Sequence, residues 1–198
     1  MKISSRKIAV TATFLALLAI FSFTPLGFLQ IGPISTAFVL ILLVTLAAQL
    51  EGLWVGVVCS TAFGIFSLIN AFTRPTPFSI CFQNPLISVL PRIIMGFTTY
   101  FVFVGIKKLA QKSQKGFVKN QLPSIVSAIV AVVTNTALVL GIMAIGYGGE
   151  LLGDTGQTVI QMITGTVLLI NFPVEIAANV IFVPLLYTVL KKYAYKGE

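Results

Sequence analysis

The 198-residue chain is 57% hydrophobic and 9% charged, and its net charge is +8. A soluble domain carries about 25% charged residues, so the composition and a mean hydropathy of +1.02 predict a polytopic helical membrane protein. With no histidine and two cysteines far apart, Cys59 and Cys81, a Cys/His metal site and a Cys–His nucleophile pair are excluded.

Taken in order, MKISSRK is a basic lead and Ile8 to Phe23 a first apolar run ending at Thr24-Pro25. A signal peptide is the competing reading, but no A-x-A-like site follows and the remaining spans fit with this one kept. Within the run Ala12 and Ala16 form a small-xxx-small pair, which allows another helix to approach closely. On spacing alone, ordinary alanine in an apolar helix is the favoured reading. Gly27 to Pro33 reads as a turn, Ile34 to Leu50 as a second span and Leu53 to Ile69 as a third.

The loop Asn70 to Arg92, NAFTRPTPFSICFQNPLISVLPR, holds four of the nine prolines and the two arginines found beyond the N-terminal lead. Irregular backbone at membrane depth survives where protein covers it or where it lines a cavity, so this loop is the expected wall of a binding site. Span four covers Leu86 to Ile106, a basic loop Lys107 to Lys119, and span five Leu122 to Ile145. A glycine-rich turn, Tyr147 to Gly156, follows. The stretch Thr158 to Leu190 is too long for one straight span. Val167 to Leu190 is assigned to span six, the preceding part to an outer segment or the first turns of a tilted helix.

Three basic residues precede span one, five lie between spans four and five, and three follow span six: eleven of the thirteen on one side. The positive-inside rule then puts both termini in the cytoplasm and the organising loop outside. The expected fold is an all-α, six-transmembrane-helix bundle forming a single domain over residues 1–198. The charge distribution shows no basic face of the kind that binds nucleic acid.

Polar residues at membrane depth are functional candidates. Arg92 follows Pro91 at the start of span four. Its competing role is structural, tying the loop to helix ends or pairing with Glu175. Asn171, Glu175 and Asn179 share one face of span six, with Pro173 among them opening the helix locally. Asn135 adds a polar position to span five. Asn70 ends span three and Asn84 precedes Pro85, where capping competes with ligand binding. Phe78 lies in the loop. The expected substrate-binding set is thus Arg92, Asn70, Asn84, Asn135, Asn171, Glu175 and Phe78. No Walker loop, nucleophile elbow, paired acids or HExxH motif occurs, so neither catalysis nor a cofactor is expected.

The segment NAFTRPTPFSICFQNPLISVLPRIIMGF, after the helix GLWVGVVCSTAFGIFS, resembles the substrate-binding S components of energy-coupling-factor (ECF) vitamin transporters, with Leu53 to Gly96 the most specific part. The resemblance extends over six spans of fitting length. It implies a prokaryotic cell-membrane subunit that binds a vitamin in an outward-facing pocket. Release inside would follow toppling against a transmembrane coupling subunit (EcfT) driven by two ATPase subunits. It also implies that Ala12 and Ala16 dock on the coupling subunit. The loop is closest to members specific for pantothenate or a hydroxymethylpyrimidine, and Arg92 and Arg74 favour the carboxylate of pantothenate. A stand-alone channel or membrane enzyme is the contrasting class.

Overall fold

A computed structural model describes residues 5–24, 27, 29–31, 34–76, 79–149 and 158–194. It is a helical bundle. Helix α1 spans Ser5–Phe23, α2 Phe38–Glu51, α3 Leu53–Thr73, α4 Pro85–Ser88, α5 Leu90–Ala110, α6 Gly116–Asn120, α7 Leu122–Tyr147, α8 Val159–Met162 and α9 Phe172–Ala194. A short 3₁₀ turn occupies Ser79–Gln83, and a π-helical segment, Ile163–Asn171, joins α8 to α9. Where the sequence predicts a turn and then the start of span two, two short strands, β1 (Leu29–Ile31) and β2 (Ile34–Thr36), pair antiparallel. Helix α2 therefore begins only at Phe38.

Five helical stretches are long and apolar enough to cross a membrane: Ser5–Phe23, Leu53–Thr73, Pro85–Ala110, Leu122–Tyr147 and Val159–Lys192. The sixth expected span, α2, has 14 residues, or about 21 Å at 1.5 Å per residue. That falls short of a hydrocarbon core of roughly 30 Å.

Short as it is, α2 is the centre of the bundle. Every residue from Leu40 to Gln49 is buried, the pattern of a helix apolar on all sides. It packs against α1, α3, α5, α7 and α9. Its two buried polar side chains are satisfied. The Thr45 hydroxyl donates to the Ile41 carbonyl at 2.8 Å. Gln49 Nε2 donates to the Ser127 hydroxyl at 2.8 Å, and its Oε1 accepts from the Ser124 hydroxyl at 2.8 Å. Polar bonds of this kind fix one helix against another where lipid supplies no hydrophobic drive.

Gly52, at φ +94°, makes the tight reversal from α2 into α3. Beyond it, small residues draw the helices together. A Cβ on Gly64 of α3 would lie 2.9 Å from both the Ser88 carbonyl oxygen and Val89 Cα. The organising loop is thereby pressed onto α3 where α4 gives way to α5.

The last helical stretch runs on from Thr158, whose hydroxyl and backbone form a capping box with Gln161. It is one continuous helical element through to Ala194. The π turns end at Asn171, and the Phe172 amide reaches back five residues to the Val167 carbonyl. Pro173 has no amide proton, and its ring crowds the carbonyl four residues earlier. Widening the preceding turns relieves that conflict, so the local opening expected at Pro173 takes this form.

Candidate functional site

The loop into α5 is shaped by its own residues. Asn84 caps α4, its Oδ1 accepting from the Leu86 amide at 3.0 Å, and Pro85 takes the first helical position. A break at Val89 ends α4, and Pro91 opens α5 with a fixed φ. Arg92 is thereby turned inward and is 4% exposed. Its Nη1 donates to the Ile87 carbonyl at 2.7 Å. Its guanidinium carbon lies 5.1 Å from the Phe63 ring centroid and 5.2 Å from that of Phe82. Loop, α3 and α5 therefore meet on this one side chain, while its Nε is buried with no hydrogen-bond partner.

Glu175 is committed elsewhere. Its Oε1 accepts from the Thr36 hydroxyl at 3.0 Å and from the Ala37 amide at 3.1 Å. Ala37 is the N-cap of α2 and has no side-chain oxygen to offer, so a carboxylate 138 residues away caps the helix and meets its positive end. The Asn179 amide reinforces the junction, donating to the Glu175 carbonyl at 2.9 Å and the Phe38 carbonyl at 3.4 Å. Arg92 and Glu175 lie near enough for their charges to act on each other. They form no ion pair within 4.0 Å.

The face shared by Asn171, Glu175 and Asn179 is inward, at 5%, 8% and 0% exposure. On α7, Asn135 is buried as well. Neither Asn135 nor Asn171 makes a side-chain hydrogen bond to the protein, and the Oδ1 atoms of both are fully enclosed. An unpaired buried amide costs about 1–3 kcal/mol, a cost that an ordered water or a bound partner removes.

Other expected site residues have different surroundings. Asn70 Nδ2 donates to the Ser22 carbonyl at 2.7 Å, tying α3 to α1. Asn84 is spent on its cap and on a 3.4 Å bond to the Tyr147 hydroxyl. Phe78 lies outside the described residues. Ala12 and Ala16 sit on the exposed face of α1, opposite Phe14 and Leu18. A groove of about 310 Å³ lies between α7 and the π segment, lined by Val133, Thr136, Leu140, Ile163, Leu168 and Phe172. None of the expected site residues lines it. Among the described residues no cluster of three metal-ligating side chains occurs.

Sequence reasoning missed Phe63 and Phe82 around Arg92, and Thr36 and Ala37 around Glu175. Aromatics in apolar runs carry no mark of a cation partner, and nothing local links β2 to α9.

A protein-family model described as the substrate-specific component of ECF transporters matches residues 6–196. The chain belongs to that family. No curated protein matches it. As an ECF substrate-specific component it is a transporter subunit rather than an enzyme. Components of this family bind a small-molecule substrate and work with EcfT and ATPase modules.

Proposed function

We propose that this ECF component is the high-affinity pantothenate-binding subunit of a prokaryotic ABC importer. The observation that carries the reading is the unspent hydrogen-bonding capacity of Arg92, Asn135 and Asn171. A guanidinium has five N–H donors, and one of those on Arg92 is used by the Ile87 carbonyl. The remainder suits a carboxylate, while two asparagine side chains suit hydroxyl and amide groups, and pantothenate carries all three. Glu175 stands beside the site through its hold on α2. The exposed Trp54 offers no clamp for a flat heteroaromatic ring, as a hydroxymethylpyrimidine would need.

Mass spectrometry of small molecules released from the purified chain is expected to find pantothenate. Asn171→Leu is expected to weaken its binding about tenfold, the value of one hydrogen bond to an otherwise unpaired group. Release of a pyrimidine, with no affinity for pantothenate, would end the assignment.

The proposed arrangement in the cell membrane has six crossings, α2 with the β1–β2 hairpin supplying the short one, and both termini in the cytoplasm. Lys107, Lys108, Lys112, Lys115 and Lys119 would then face inward with the terminal lysines. A membrane-impermeant thiol reagent is expected to leave Lys112→Cys unlabelled in intact cells and to label it after lysis. Labelling in intact cells would reverse the orientation.

A further inference from the structure

Residues 87–92 form a hook that closes on itself. The Arg92 amide donates to the Val89 carbonyl at 3.1 Å, and its Nη1 reaches back to the Ile87 carbonyl at 2.7 Å. Val89 both ends α4 and precedes α5. The guanidinium is thus tied across the break between the two helices, and moving the break moves the guanidinium with it.

The hook rests on α3 at Gly64. A Cβ there would lie 2.9 Å from the Ser88 carbonyl oxygen, 2.9 Å from Val89 Cα and 3.5 Å from Arg92 Cβ. All three atoms belong to the hook. The two nearest are backbone, which cannot swing aside as the end of a long side chain can. Carbon atoms reach their best contact at about 3.5 Å or more, so a side chain at position 64 would lift the hook by roughly half an ångström. Glycine weakens the interior of a helix, and what it contributes here is that close approach.

The preceding residue supplies the other half of the seat. Phe63 is fully buried, with its ring centroid 5.1 Å from the Arg92 guanidinium carbon, within the range of a cation–ring attraction. Gly64 therefore sets how near the backbone comes to α3, and Phe63 where the guanidinium comes to rest. A two-point grip on a carboxylate needs parallel hydrogen bonds of about 2.7–2.9 Å, and a half-ångström displacement spoils it. Gly56, earlier on the same helix, shows the contrast. A Cβ there would lie 2.6 Å from Ala48 Cβ, and its three nearest atoms all belong to Ala48 of α2 rather than to the hook.

We infer that Phe63 and Gly64 are positioning residues for Arg92, and that they set the preference of the site for a carboxylate over a neutral group. The inference rests on the reading of Arg92 as the carboxylate anchor. Both residues act through Arg92, not through contact with the substrate.

Titration of the purified full chain with pantothenate and with its neutral primary amide tests this. The wild-type chain is expected to prefer pantothenate at least about tenfold, the value of a charge-assisted hydrogen bond. Gly64→Ala should cut that preference about tenfold, with the amide bound nearly as before. Gly56→Ala, an equally tight substitution, should lower stability and leave the ratio intact. Phe63→Leu keeps apolar bulk but removes the ring and should lower the ratio in the same direction. In an Arg92→Ala background, Gly64→Ala should lower neither affinity further, because its effect passes through the missing side chain. A wild-type chain without the preference would remove the carboxylate anchor and the positioning role together. A wild-type preference retained in Gly64→Ala, or in Phe63→Leu where Gly64→Ala does not fold, would overturn the positioning role alone. Equal weakening of both ligands in Gly64→Ala would make Gly64 a packing residue and overturn it too.

Discussion

Arg92→Ala is expected to weaken substrate binding by about 2 kcal/mol or more, roughly 30-fold, the value of charge-assisted hydrogen bonds to a carboxylate. Arg92→Lys should fall between, because an ammonium keeps the charge but loses the planar fork and its fit between Phe63 and Phe82. The same substitutions strip the Ile87 carbonyl of its 2.7 Å donor, so stability must be read on the same proteins. The geometry also bears on the competing role, in which Arg92 exists to neutralise Glu175. Glu175 Oε1 is engaged by Thr36 and Ala37. Glu175→Gln keeps an oxygen for those two donors and should barely move the melting temperature. Glu175→Ala removes a helix cap, which costs about 1 kcal/mol. Combining Arg92→Gln with Glu175→Gln should recover neither stability nor binding. A folded Arg92→Ala protein that binds normally would end the carboxylate anchor, and with it the choice of pantothenate. Recovery in the double variant would restore the ion-pair role instead.

How much of this was legible in the sequence depends on the range of the interaction. The membrane class and the long helices follow from runs of apolar residues, which report directly on the solvent. The inward face of Asn171, Glu175 and Asn179 was legible because helical spacing survives into the bundle even through a π segment. Asn84 as a cap was legible because capping is settled within a few residues. The shortness of α2 was not, since Ile34–Thr36 leads without a break into the apolar run and becomes a strand only by pairing with Leu29–Ile31. The duty of Glu175 was hidden for a similar reason. Its partners lie 138 and 139 residues away, and a lone carboxylate in an apolar run suggests a cationic partner before it suggests a backbone amide. Asn70 illustrates the opposite error. It is a polar residue at the end of a span, attractive as a ligand contact, whose amide is consumed by a carbonyl of α1.

For α1 the sequence left two readings of Ala12 and Ala16, a docking face and ordinary alanine in an apolar helix, and the structure leaves both side chains exposed. Phe14, Leu18 and Ser22 face the bundle, whereas Ala12 and Ala16 face outward with Ile8 and Ile20 at 58% and 56% exposure. In an ECF component, two small side chains one turn apart on the outer surface would suit close approach by a coupling-subunit helix. Ala12→Trp or Ala16→Trp is therefore expected to abolish uptake by the assembled transporter, because an indole on that surface holds the partner helix away. Substrate titration of the isolated subunit should be unchanged, since neither side chain reaches the buried Arg92, Asn135 or Asn171. Ala16→Ser, which keeps the side chain small, should retain most of the uptake. Co-purification with the coupling subunit should fall in parallel with uptake for the tryptophan variants. Loss of binding together with uptake would mean that α1 turns these alanines into the substrate-binding core, and normal uptake with either tryptophan would remove the docking role.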